Sequence, residues 1–404
     1  MKLIKYHIIL SLLLLAIITP KAMNAEDSPE HYRRLSICNI LVCHDNEKFA
    51  KEIQDQYLNI PVSDKYNDHN LSVRVVSVDK GNRLKDESQI TNWIDKNNVA
   101  SRLVAKWFDR DILTGECNLD TIRERGLYDA SVFDMEIANR SARGIAMLQD
   151  AGEDLIGNTF LLMHEITYID KNKRARVWGA IGQGLFIVAG AAMGSSDMMD
   201  MGKSVNDMVS SIKGFAVRVN TRLYRLVWDE ERSNEFFTKH YSPGDASVFD
   251  NDRDHYRVEY VGNVVSKGGT TSFMGINEDE PELMIRKACQ RALDANVADL
   301  GKAYDVFRVR TPVVSVSPTI TAYIGLKEGV TPDSRYEVLE AEEKGGKISY
   351  KRVAVLKPVA NKIWDNRFMA VEELAYGADF GSTTFVKESG GDIAPGMLLR
   401  EITK

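Results

Sequence analysis

The sequence predicts an α+β fold: an α/β sandwich-like domain with an inserted apolar hairpin, followed by a small all-β, barrel-like C-terminal domain. Three observations predict it. Candidate strands and amphipathic helices alternate from residue 71 to about residue 305, a charge-free stretch over 177–194 interrupts them, and after Tyr304 only short β-runs separated by turn residues remain. The boundaries that follow are a leader over 1–25, an N-terminal extension over 26–70, the α/β domain over 71–305 with its insertion over 177–213, and the β domain over 306–404.

The leader has Lys2 and Lys5 as a basic head, an apolar run over 8–18 (IILSLLLLAII), Pro20 and small residues up to Ala25. That is the layout of a secretory signal peptide cleaved before Glu26. Its apolar run falls short of the roughly 20 residues that span a bilayer. No Cys follows the run closely, Cys38 coming too late, so a lipid anchor is not expected. Removing the leader takes away three lysines and no acid, which moves the net charge of -6 to about -9. An acidic chain without clustered Lys and Arg is unsuited to nucleic acid.

Residues 26–70 are polar except for an apolar run over 35–43 and a short helix over 49–57. Residues 71–78 (LSVRVVSV) predict a strand, and 99–108 an amphipathic helix with Val99, Leu103, Val104 and Trp107 on one face. Asp120 or Thr121 caps a turn, helices follow over 127–139 and 142–156, and Gly157 stops the second. A strand is expected over 159–169. The clearest strand is 215–228, where Phe215, Val217, Val219, Thr221 and Leu223 form a core face and the alternate residues a wet or paired one. A further strand over 256–265 precedes a helix over 281–300, started by Pro281 and acidic residues and striped by Ile285, Cys289, Ala292, Val297 and Leu300. In the tail, strands are expected over 313–316, 320–324, 335–339, 348–356 and 397–402.

The eighteen uncharged residues over 177–194 nominally meet the length criterion for a membrane span. Five glycines weaken a helix there. The flanking charges also oppose a simple exported topology, with Lys171, Lys173, Arg174 and Arg176 before the stretch and Asp197 and Asp200 after it. Met198, Met201, Val205, Met208, Val209 and Ile212 then recur at helical spacing. The stretch reads as an insertion between two strands, packed as helices or meeting lipid or a neighbouring subunit.

No residue is assigned a catalytic, cofactor-binding or metal role, and no cofactor is expected. Neighbours on a strand point to opposite faces, so His164 and Glu165 are expected to diverge. The run from Asp250 to Asp254 starts like a calcium loop but has His255 at the sixth place and Val261 at the twelfth, which leaves a solvated acidic turn. No GxSxG, GxxxxGK[ST] or GxGxxG motif is present. For a hydrolase with dispersed residues, the first candidates are His164, Glu165, Asp252 and His255. Cys38, Cys43, Cys117 and Cys289 permit three pairings, with buried thiols as the alternative for Cys38 and Cys43.

The order strand, amphipathic helix, helix ending in Asp150-Ala151-Gly152, strand, long insertion, alternating strand, second excursion and closing helix, with the phrase NEDEPELMIRKACQRAL, resembles the periplasmic domain of the curli secretion-channel family. The β tail resembles that of a flagellar ring assembly relative. The resemblance covers residues 71–303 and implies a shared fold and an oligomerising habit. The family's two membrane hairpins correspond to 177–213 and 256–271, neither of which alternates as a barrel wall requires.

These readings lead to an exported, non-enzymatic cell-envelope protein of the periplasm or the periplasmic face of the outer membrane. It is expected to act in assembly or secretion as a homo-oligomer or part of a complex, with 177–213 either packing against a neighbour or making membrane contact. The alternatives are the periplasmic hydrolase and a soluble peptide- or glycan-binding module.

Overall fold

The computed structural model describes residues 34–45, 47–78, 84, 86–128, 135, 151–169, 215–241, 245–269, 281–344, 347–370 and 381–403. The leader and the insertion over 177–213 lie outside these residues, as do most of the helices expected over 127–139 and 142–156; of the latter, Ala151–Asn158 is a 3-10 helix. Residues 32–340 and 351–404 form one compact unit, and 341–350 belong to a second. In the latter, Ser349 Oγ donates to the Glu342 carbonyl at 3.4 Å.

The N-terminal part is built on a six-stranded mixed sheet. An interior strand, β1 (Ser36–His44), comes from the segment read as an extension. SICNILVCH is apolar at most positions because both faces of the strand are covered. β2 (Asn67–Asp68) and β3 (Val75–Val78) share one edge of β1, both parallel to it, and β4 (Thr159–Tyr168) runs parallel along the other edge. β5 (Ala216–Leu226) and β6 (Val258–Gly269) extend the sheet by antiparallel pairing. Residues 258–269, which take in most of the strand expected over 256–265, pair along their length with β5.

Among the described residues the α-helices are α1 (Ala50–Leu58), α2 (Glu87–Lys96), α3 (Val99–Trp107), α4 (Asp120–Tyr128), α5 (Glu230–Glu235), α6 (Ser247–Asn251) and α7 (Pro281–Ala303). Ile90 and Ile94 of α2 and Leu103, Val104 and Trp107 of α3 share a core with Cys38, Ile40 and Val42 of β1. On the opposite face, Ile53 and Tyr57 of α1 and Ile285, Cys289 and Ala292 of α7 pack with Leu41, Cys43, Val217 and Val219. Sequence neighbours Cys38 and Cys43 thus enter different cores, and all four cysteines are free thiols. Burial pushes the Cys38 thiol up to about 11 and that of Cys289 up to about 12.

β5 departs from its expected wet face. Arg218 is exposed, but Tyr224 and Leu226 on the same side are buried in the core beneath α2 and α3, because helices cover both sheet faces at that end. Gly268 of β6 lets α7 approach closely: a Cβ there would lie 2.7 Å from the backbone N and Cα of Ala292.

The C-terminal part is a closed barrel of β7 (Arg310–Ser315), β8 (Ile320–Ala322), β9 (Tyr336–Lys344), β10 (Lys347–Pro358), β11 (Thr383–Gly390) and β12 (Leu398–Glu401), in the order β10-β11-β8-β7-β12-β9. Val313, Ala322, Val338, Leu356, Phe385 and Leu399 fill it. Closure removes the exposed sheet edges an open β domain would carry. α7 bonds to the barrel part directly: Lys302 Nζ donates to the Gly329 carbonyl at 2.8 Å, and Arg291 Nη2 donates to that of Phe368 at 2.8 Å. Lys65 Nζ adds a bond to the Tyr323 carbonyl at 2.6 Å.

Candidate functional site

A row of polar side chains crosses the sheet face that α1 and α7 otherwise keep apolar. β1, β4 and β5 bring Asn39, His164 and Thr221 side by side. Thr221 Oγ1 lies 2.7 Å from His164 Nδ1, and His164 Nε2 lies 3.0 Å from Asn39 Oδ1. Since Asn39 Oδ1 can only accept, the network assigns the ring proton to Nε2, with Thr221 donating to Nδ1. Burial drives the His164 pKa down to about 3 and keeps the ring neutral.

Above this row a cleft opens between the sheet and the barrel, enclosing about 1070 Å³ with its solvent-filled mouth included. Tyr57, Arg74, Asn39 and His164 line it from the sheet side, and Asp294 and Lys302 from α7. Arg74 Nη1 donates to the Leu58 carbonyl at 3.2 Å, which holds its guanidinium 5.4 Å from the centre of the Tyr57 ring. Burial pushes the Asp294 carboxyl up to about 6, Lys327 opposing the shift and Glu328 adding to it.

Asp252 and His255 belong to a different cluster, on the excursion between β5 and β6. There the helical turn Phe236–His240 widens to π geometry and buries His240 completely. His240 Nδ1 lies 2.6 Å from the Tyr256 hydroxyl, while Nε2 lies 3.3 Å from Asp252 Oδ2 but off the line of a hydrogen bond. His255 Nδ1 sits 3.3 Å from Glu235, which also pairs with Lys239. Burial and the nearby Asp252 and Glu235 carboxylates hold Tyr256 firmly protonated, which makes it a hydrogen-bond donor and a poor nucleophile.

The four sequence candidates are therefore not brought together. His164 and Glu165 diverge as strand neighbours must: Glu165 Oε1 lies 3.3 Å from His44 Nε2 on the other face of the sheet. Asp252 and His255 share their own cluster. Among the described residues, no group of three or more His, Cys, Asp or Glu is placed to hold a metal ion, and no helix is long and apolar enough to cross a membrane.

A third feature escaped sequence reasoning. Ile112 and Leu113 are 82% and 88% exposed at the tip of a tight turn. Asp111 Oδ1 accepts from the backbone N–H of Leu113 at 2.8 Å and of Thr114 at 2.7 Å, bonds that lower its pKa, and Gly115 closes the turn at a φ of +75°. Arg110 Nη2 anchors the base by donating to the Ala246 carbonyl at 2.6 Å. The string Asp111-Ile112-Leu113-Thr114-Gly115 does carry the turn signal, an Asp two residues before the N–H it caps and a Gly at its close. No protein-family model matches this chain, and no curated protein matches it either.

Proposed function

We propose that this chain is an exported, non-enzymatic cell-envelope protein that acts in assembly or secretion as part of an oligomeric complex. The Ile112-Leu113 tip carries the reading. Isolated exposed apolar residues are ordinary, but two adjacent ones held out by a capped turn are preorganised for contact and lose little conformational freedom on binding. The secretory layout of residues 1–25, the resemblance of residues 71–303 to the periplasmic domain of curli secretion channels, and the apolar insertion over 177–213 agree with it.

Envelope fractionation with crosslinking tests the proposal. The parent chain is expected in the envelope fraction and in crosslinked species larger than one chain, and the double variant Ile112→Ser, Leu113→Ser is expected to lose those species while its thermal midpoint is unchanged. A parent chain that stays soluble and uncrosslinked overturns the reading.

The hydrolase alternative draws on the Asp252, His240, Tyr256 series, which has the order carboxylate, imidazole, hydroxyl. The protonated, buried Tyr256 weighs against it. Should the chain hydrolyse a periplasmic ester or amide substrate, His240→Ala must abolish that activity; retention removes the series from consideration.

A further inference from the structure

The geometry points to a binding site for an apolar carboxylate in the cleft between the sheet and the barrel. This inference stands independently of the assembly reading. The polar row on the floor is satisfied within itself, His164 being bonded to both Thr221 and Asn39. Three other polar atoms at the cleft are buried without a hydrogen bond among the described residues: Tyr57 Oη, Arg74 Nε and Asp294 Oδ2. A buried polar atom left unpaired costs free energy, so such atoms on three residues lining one cleft mark where a ligand would restore the lost bonds.

Two of the three are neighbouring donors. Tyr57 is 2% exposed and projects from α1, and Arg74 reaches its ring from the chain leading into β3. The terminal nitrogens of Arg74 are already engaged by the Leu58 and Ile60 carbonyls. Arg74 also faces the Tyr57 hydroxyl, so together they present a cation and one O–H donor, which suits a carboxylate better than a phosphate, which calls for more donors.

The charge around the cleft favours an anion within an otherwise acidic chain. Lys65, Arg74, Lys302, Arg308 and Lys327 line it against the carboxylates of Asp294, Glu328 and Glu401, a cationic excess even with Lys302 paired to Glu401. Of the carboxylates, Glu328 is used by the Gly325 N–H and Asn366, and Glu401 by Lys302 and Ser334. Asp294 alone remains as an uncommitted acid in the lining. Ile37, Ile60, Val62, Leu293, Val297 and Ile324 supply an apolar wall for the ligand's body. A mostly apolar lining with a few convergent polar groups at the junction of two structural parts is the usual form of a small-molecule site.

Calorimetric titration of the full chain with decanoate at pH 7.5 tests the proposal, with decylamine as the charge-reversed probe. Decanoate is expected to bind saturably, one per chain, and decylamine about tenfold more weakly or not at all. Tyr57→Phe, which removes only the hydroxyl, should weaken decanoate about tenfold. Asp294→Asn, which removes the opposing charge at nearly constant shape, should tighten decanoate about threefold or more, a gain that misfolding cannot produce. Absence of saturable decanoate binding, tighter binding of decylamine, or an Asp294→Asn variant that binds decanoate no better than the parent overturns it.

Discussion

His164 and His69 are each fully enclosed and neutral, and this sets a pH dependence. His69 Nε2 bonds the Leu103 carbonyl at 2.9 Å and its ring stacks on Trp107, while His164 sits in the polar row; burial takes both from 6.5 down to about 3. A histidine depressed on folding binds more protons unfolded than folded below 6.5, so its stability contribution is complete above that value and is lost as pH falls from 6.5 toward 3. Between pH 7.5 and 5 each should cost about 2 kcal/mol of unfolding free energy. Denaturant unfolding at the two values checks this, and His164→Gln should recover about half of the combined loss; an unchanged pH slope in that variant would show that His164 does not titrate on unfolding. The sequence could place His164 on a strand and separate it from Glu165. It could not show Asn39 and Thr221 beside it, because those partners come from distant positions and meet only through sheet register.

Among the elements, those with a strong period were legible and those without were not. α7 follows its expected stripe, with Ile285, Cys289, Ala292 and Leu300 buried, because apolar residues at helical spacing have one way to leave water. β11 gave no comparable pattern: after Phe385 its residues TTFVKESG turn outward and stay exposed, so half of the strand looks like loop. β1 was visible as an apolar run, yet its interior place was not, since a strand buried on both faces lacks the alternation that identifies a sheet face. The tightest junction between elements is Gly268 against Ala292. Gly268→Ala would drive a methyl into helix backbone and force α7 away from β6, at a cost of about 1–3 kcal/mol. Chemical denaturation measures that loss directly; a variant as stable as the parent would mean that α7 shifts freely on the sheet.

At the scale of the molecule, composition and pattern revealed the α+β class and the β tail, and the structure adds how the two parts join. Lys302 and Arg291 on α7 and Lys65 near β2 bond barrel carbonyls, and the cleft lies beside these links. Neither was legible, because a junction between two cores is set by side chains far apart in sequence. The turn at Ile112 and Leu113 is signalled by Asp111 and Gly115, but its role was hidden for another reason: adjacent apolar residues in a sequence resemble core until a turn is seen to hold them outward. Light-scattering mass of the purified chain, with and without mild detergent, tests association through this turn most directly. The account predicts a multiple of the single-chain mass that falls to one chain on replacing Ile112 and Leu113 with Ser. A single-chain mass for the parent, indifferent to detergent, would contradict it.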